Sequence, residues 1–306
     1  MNRYNNFIDK LKSGSCMIIN GATGTEIEKR GVPQLSNAWN GGGALSRPDI
    51  LLQVYKDYIG AGAQLIISNT FANSKHALEQ SGELENFYLL NSMGVELAVT
   101  AREQLKKSEI LVGGGISYWS WTGKMPSLKS LGESVSEQAI IMKNAGSDLL
   151  ILEMMVDIER MVATLESAQV AGLPVWVGFS CKLDNSNNIC LLGGELLSEA
   201  VSELKGRNID LINIMHTEIE LIDRCLDVLD REWGKFCGVY PHSGGKDWDY
   251  FSNVISPREY CKNAQNWLLR GTNIIGGCCG LGVEHINELS RMNAEHQRKR
   301  LGFLID

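Results

Sequence analysis

The sequence predicts an α/β fold, a single (β/α)8 TIM barrel. Eight short apolar runs recur along the 306 residues, each of strand length and none strictly alternating, as strands buried on both faces are. Helical patterns separate them, which calls for parallel crossovers. The length suits one barrel of about 250 residues with insertions. A doubly wound open sheet is the competing architecture, but no G-x-G-x-x-G follows the first run.

The runs are CMIIN (16–20), QLIISN (64–69), ILVGG (110–114), DLLILE (148–153), VWVGFS (175–180), LINI (211–214), FCGVY (236–240) and NIIGG (273–277). Between them, RPDILLQVYKDYIGAGA opens on Pro48-Asp49 and stops at Gly60. SVSEQAIIMKNAG carries Ser134 with Glu137 three residues on, the spacing of a capping box. DIERMVATLESAQVAG starts at Asp157 and ends at Gly172, and SPREYCKNAQNWLLRG and GVEHINELSRMNAEHQRK complete the helical set. No linker, low-complexity tract or internal repeat interrupts the pattern, so residues 1–306 read as one domain.

Composition excludes several classes. A net charge of −7 with no basic cluster argues against nucleic acid. No apolar run approaches the roughly 18 to 20 residues of a membrane helix. The opening MNRYNNFIDKLKSGS lacks the apolar core of a signal peptide. Eight scattered cysteines without a secretion signal read as reduced thiols of a cytoplasmic protein.

A barrel of this kind carries its active site at the C-terminal ends of its strands. Asn20 with GATGTE follows the first run, and Asn69, Thr70 and Phe71 close the second. ISYWSW follows the third, Glu153 ends the fourth and Ser180 the fifth. His216 follows the sixth, Pro241 and His242 the seventh, and Cys278 and Cys279 the eighth. Neighbouring side chains in an extended strand point to opposite faces, so two adjacent thiols act together only where the strand has stopped. Gly276, Gly277 and Gly280 around the pair suggest a tight turn that points both thiolates at one metal. Two soft thiolates with a histidine nearby suit tetrahedral Zn2+. A vicinal disulfide or an inert buried pair is the competing reading.

GGCCG after the last apolar run, with NGATGTEIEKRG after the first, resembles the homocysteine S-methyltransferase family. That family includes betaine- and S-methylmethionine-dependent enzymes and the homocysteine-binding module of cobalamin-dependent methionine synthase. The likeness covers nearly the whole chain, and NAWNGGGALSRPDILLQVYKDYIGAGAQLIISNTFANS is similar to the stretch running from an active-site Trp into the second strand. The resemblance implies a (β/α)8 barrel with Zn2+ on Cys278 and Cys279, Glu153 on the substrate amino group and Trp39 on the methyl-donor side. Four departures fall at the mouth. Asn20 stands where the family has Asp, His216 where it has the strand-six Cys, His242 within YPHSGG where some branches have Asn, and SYWSWTGKM where a Gly-Pro-Tyr-Gly run is common.

The expected activity is therefore transfer of a methyl group from an onium donor to homocysteine thiolate, giving methionine. His216, Cys278 and Cys279 are the expected metal and catalytic set. Asn20, Gly21, Ala22, Trp39, Asn69, Thr70, Tyr118, Trp119, Glu153 and His242 are expected to bind substrates, with Trp121 a further candidate because aromatic faces attract onium groups. S-methylmethionine, dimethylsulfoniopropionate, betaine and S-adenosylmethionine stay open as donors, and a homo-oligomer is open too. A zinc hydrolase using His216, His242 and Glu153, and a non-catalytic metal- or thiol-binding barrel, are the alternatives.

Overall fold

The computed structural model describes residues 3–244 and 251–302. Each of the eight apolar runs contributes a strand. They are β1 (Met17–Ile18), β2 (Leu65–Ile67), β3 (Leu111–Ile116), β4 (Leu149–Met155), β5 (Val175–Phe179), β6 (Leu211–Glu218), β7 (Phe236–His242) and β8 (Ile274–Ile275). All pair in parallel, in the order β1-β8-β7-β6-β5-β4-β3-β2. A parallel bridge between Ile19 and Leu65 joins the two ends, and the sheet becomes a (β/α)8 TIM barrel.

Strand alternation divides the apolar residues between two cores. Leu149, Ile151, Leu211 and Ile274 fill the barrel, whereas Leu150, Leu152, Ile212 and Ile214 pack under the helices. Helix Arg3–Lys12 plugs the N-terminal end with Tyr4, Phe7, Ile8 and Leu11. Trp176 Nε1 donates to the Tyr4 hydroxyl at 2.9 Å, and that hydroxyl donates to Asp210 at 2.6 Å. With one end stoppered, the C-terminal end is the open one.

The helix signals hold at Pro48–Gly60 and at Ile158–Ala168, where Asp157 caps by accepting from the Arg160 N–H at 2.8 Å. One signal was displaced. The helix containing Ser134 begins at Leu128, with Ser127 as its cap. Ser134 lies buried inside it and accepts from the Lys75 N–H at 3.2 Å, a tertiary partner instead of a local one. One element was not anticipated: an antiparallel hairpin, Cys181–Leu183 with Ile189–Leu191, turns on Asp184, whose carboxylate accepts from the Ser186 and Asn188 N–H groups. No helix among the described residues is long and apolar enough to cross a membrane.

Candidate active site

Two β-bulges shape the open end. The register of β4 shifts between Leu152 and Met155, and that of β6 between Met215 and Glu218. Inside them Met154 (φ 59°) and His216 (φ 42°) take the left-handed conformation, uncommon for a residue with a side chain. Regular alternation would turn Glu153 and Met215 inward and their successors outward. The bulges turn both neighbours in, so Glu153, Met154, Met215 and His216 all line one cavity of about 310 Å3. His216 and His242 thus lie within strands that run further than the apolar runs suggested, not beyond them. Gly245, the last residue of YPHSGG, lies outside the described residues.

The cysteines stand past the end of β8. The Cys278 N–H donates to the Pro241 carbonyl at 2.7 Å, and the Leu281 N–H returns to the Cys278 carbonyl at 3.0 Å, closing a turn. Gly280 supplies the left-handed residue at φ 81°. Gly276 and Gly277 serve close packing rather than positive φ; a Cβ on Gly276 would lie 2.2 Å from Ile19 Cγ1. The turn leaves the two thiols 3.9 Å apart, with His216 Nδ1 3.4 Å from Cys278 Sγ. The three ligand atoms lie within 4.8 Å of one another, and among the described residues this is the group able to hold a metal ion. Two thiols and an imidazole fit Zn2+ chemically, and with three protein ligands a bound ion would keep a fourth position open.

Charge in the site follows from burial. The Cys278 thiol is held well below its ordinary range by the Cys279 thiol and by His216, and Cys279 is pushed up in turn. Burial raises the Glu153 carboxyl to about 8, and the nearby Cys278 adds to the rise. His242 packs against His216 with ring centroids 4.5 Å apart and planes tilted by 35°. Burial, then the neighbouring His216, lower His242 to about 4, so it is a neutral imidazole at pH 7. His242 neither lines the cavity nor joins the three-ligand group, and its buried Nδ1 has no hydrogen-bond partner.

Of the other predicted residues, Asn20, Gly21, Ala22, Trp39, Asn69 and Trp119 line the cavity, and so does Trp121. Asn20 also stitches the barrel seam, accepting from the Ile67 N–H at 2.8 Å and donating to the Gly21 carbonyl at 2.9 Å. Trp39 lies flat against Gly24, where a Cβ would come within 2.8 Å of the ring. Thr70 and Tyr118 do not reach the cavity. Thr70 is fully buried and donates to the Gly115 carbonyl at 2.7 Å. Tyr118 packs in the outer core and its hydroxyl accepts from the Val156 and Asp157 N–H groups at 2.8 and 3.1 Å, bracing the chain as it leaves β4. Among the lining residues absent from the predicted set, Tyr240 was legible: it shares inward parity with Phe236 and Gly238 on β7. Met154 was not, because only the bulge brings it in.

A barrel with a His/Cys/Cys group, a buried carboxylate and a tryptophan wall at its open end defines a metal-ready TIM-barrel enzyme site. The family description that matches residues 17–292 is that of homocysteine S-methyltransferase, and the chain belongs to this family of methyltransferases. Homocysteine S-methyltransferase 1 of Arabidopsis thaliana is 25% identical, over 92% of this chain and 94% of its own. Selenocysteine Se-methyltransferase of Brassica oleracea var. italica is 24% identical over 88% and 86%. The crystal structure of the homocysteine methyltransferase MmuM from Escherichia coli, metallated form, has a similar fold: TM-score 0.77, 23% identity, covering 95% of this chain and 99% of that one.

Proposed function

We propose that the protein is a zinc-dependent homocysteine S-methyltransferase, the whole chain serving as one homocysteine-binding barrel domain in the cytoplasm. The observation that carries this reading is the convergence of His216, Cys278 and Cys279, from one strand and one turn, on one point of the cavity wall. These three residues would hold Zn2+, which when bound keeps a coordinated thiol as its thiolate at neutral pH.

The surrounding residues account for the rest. Glu153 is the one carboxylate among the described lining residues, and it suits the homocysteine ammonium. Burial keeps the proton on Glu153 before substrate binds; an arriving ammonium draws the carboxyl into its charged form, and the proton leaves to solvent. Trp39, Trp119 and Trp121 face the same cavity and supply π-faces to an onium methyl group. In a sulfonium donor the S–CH3 bond breaks as the new S–CH3 bond to homocysteine forms. The electron pair stays on the departing neutral thioether, and methionine results. The protein holds the two sulfurs in line and keeps water from the thiolate.

The two-histidine hydrolytic reading lacks support, because His242, though packed against His216, is not one of the three residues whose ligand atoms converge. Metal analysis of the purified protein, with homocysteine and simple alkyl thiols assayed against S-methylmethionine, dimethylsulfoniopropionate, S-adenosylmethionine and betaine, tests the proposal. One zinc per chain and methionine from a sulfonium donor are expected. Full-length folded protein with neither zinc binding nor methyl transfer would refute it.

A further inference from the structure

The three tryptophans of the cavity sit on two loops, residues 35–39 and 117–124, and one short helix holds both. In helix Lys75–Ser81, His76 and Gln80 are four residues apart and so share a face. His76 is buried, and its Nε2 lies 3.1 Å from the Tyr118 carbonyl and 3.2 Å from the Trp119 carbonyl, placed to donate to both. The Gln80 side chain grips the other end of the same loop. Its Oε1 accepts from the Ser120 and Thr122 hydroxyls at 3.1 and 2.7 Å, and its Nε2 donates to the Lys124 carbonyl at 3.0 Å. Trp121 is therefore bracketed on both sides.

Gln80 reaches the second loop as well. Its backbone carbonyl accepts from Asn37 Nδ2 at 3.1 Å, two residues before Trp39. Asn37 and Trp39 both have positive φ, 59° and 41°, so that loop does not keep its shape by backbone preference. The thiol side of the cavity is built differently. Glu153 and His216 stand in strand bulges, and Cys278 and Cys279 in the turn after β8. Among the described residues, the Glu153, Cys278 and Cys279 side chains make no hydrogen bond to helix Lys75–Ser81.

We propose that His76 and Gln80 are positioning residues for the methyl donor. Neither lines the cavity; they act by holding Trp119, Trp121 and Trp39 where the rings enclose an onium group. Onium–ring attraction falls off beyond about 6 Å from the ring centroid, so slack in these loops weakens donor binding first. This rests on the methyltransferase reading and adds to it a division of labour: one helix governs the donor, the strand ends govern the thiol.

Steady-state kinetics of Gln80→Ala, His76→Ala and His76→Gln, with S-methylmethionine and homocysteine varied separately, test it. Gln80→Ala should raise the donor KM by about fivefold, the scale of one lost cation–π contact. The homocysteine KM and zinc content should stay at parental values. His76→Gln, whose amide Nε2 can donate where the ring Nε2 does, should recover most of what His76→Ala loses. A merely structural role would raise both KM values together, and that result, or an unchanged donor KM, overturns the proposal. If His76→Ala does not fold, the half-buried Gln80 carries the test. Should the unaltered protein transfer no methyl group, the reading of its function fails separately. Quenching of tryptophan fluorescence by S-methylmethionine then decides the positioning role: weaker quenching in Gln80→Ala supports it, and equal quenching overturns it.

Discussion

His216 Nδ1 lies 3.4 Å from Cys278 Sγ, although 62 residues separate them in the chain. The approach depends on a residue with a side chain adopting φ 42° within a bulge of β6. Such a conformation costs of the order of 1–3 kcal/mol and persists only where the surroundings enforce it. Here it converts an outward-facing strand position into an inward-facing one beside the cysteine turn.

That geometry makes the metal group separable from the fold. Cys278→Ala and Cys279→Ala should each abolish stoichiometric zinc binding while leaving the barrel folded, since both thiols stand beyond the packed strands. Metal content by plasma emission and thermal melts by far-UV circular dichroism check this. A double Ala variant that still binds one zinc per chain would remove the assignment.

Glu153→Gln should make the enzyme more stable and less active. The carboxyl titrates near 4.3 in an unfolded chain and at about 8 in the fold, raised chiefly by burial. Folding above pH 4.3 must therefore put a proton on this group. Stability falls as pH rises from the unfolded value and levels off above the folded one. At pH 7 the cost is up to about 4 kcal/mol. The neutral amide avoids it, so the metal-free variant should melt higher than the parent at pH 7 and match it near pH 4. Homocysteine affinity in the parent should rise with pH towards 8 as the carboxylate forms, and the variant should lose that component. Equal melting temperatures at pH 7 would contradict the buried, protonated state.

How much of this was legible in the sequence depends on the kind of signal. All eight strands were, because each is a short apolar run bounded by helix signals, and so was the cysteine turn, because Gly276–Gly280 flanks it. Bulges are not written in hydropathy. Met154 is an apolar residue just past an apolar run, and nothing local marks it as lining the mouth. His216 was found by its position after an apolar run, yet alternation alone would have turned it outward. Tyr118 was expected among the aromatics of the mouth because SYWSW is an aromatic cluster; parity with Ile116 instead sends it to the outer core while Trp119 turns in. The N-terminal helix has no comparable signal, because its role, stoppering the barrel, is purely tertiary.

Tyr118→Phe isolates that difference. The substitution keeps the ring and leaves the Val156 and Asp157 N–H groups without the hydroxyl they share. Loss of a partner for these half-buried donors costs about 1 kcal/mol. The variant should unfold at lower urea concentration, with the donor KM little changed because the ring does not line the cavity. A large rise in donor KM at parental stability would return Tyr118 to the donor site.

The final prediction concerns the charge that His216 brings to the metal group. Zinc with Cys278 and Cys279 as thiolates and a neutral His216 sums to zero, and a substrate thiolate makes it −1. Three cysteine thiolates would give −1 and then −2. The less negative set should hold a substrate thiolate more tightly and form it at lower pH, but leave less electron density on the attacking sulfur. Such a site favours a strongly activated sulfonium over the quaternary ammonium of betaine. His216→Cys tests this with little change in reach. Nδ1, the nearer ring nitrogen, faces Cys278. The longer Zn–S bond, about 2.3 Å against about 2.0–2.1 Å for Zn–N, offsets part of the shorter side chain. The variant should retain zinc, shift the acid limb of its pH–rate profile upward, and gain activity with betaine relative to S-methylmethionine. Retained zinc with an unchanged donor ranking and pH profile would show that the histidine does not set the nucleophile. Undiminished zinc affinity in His216→Ala would show that it is not a ligand at all.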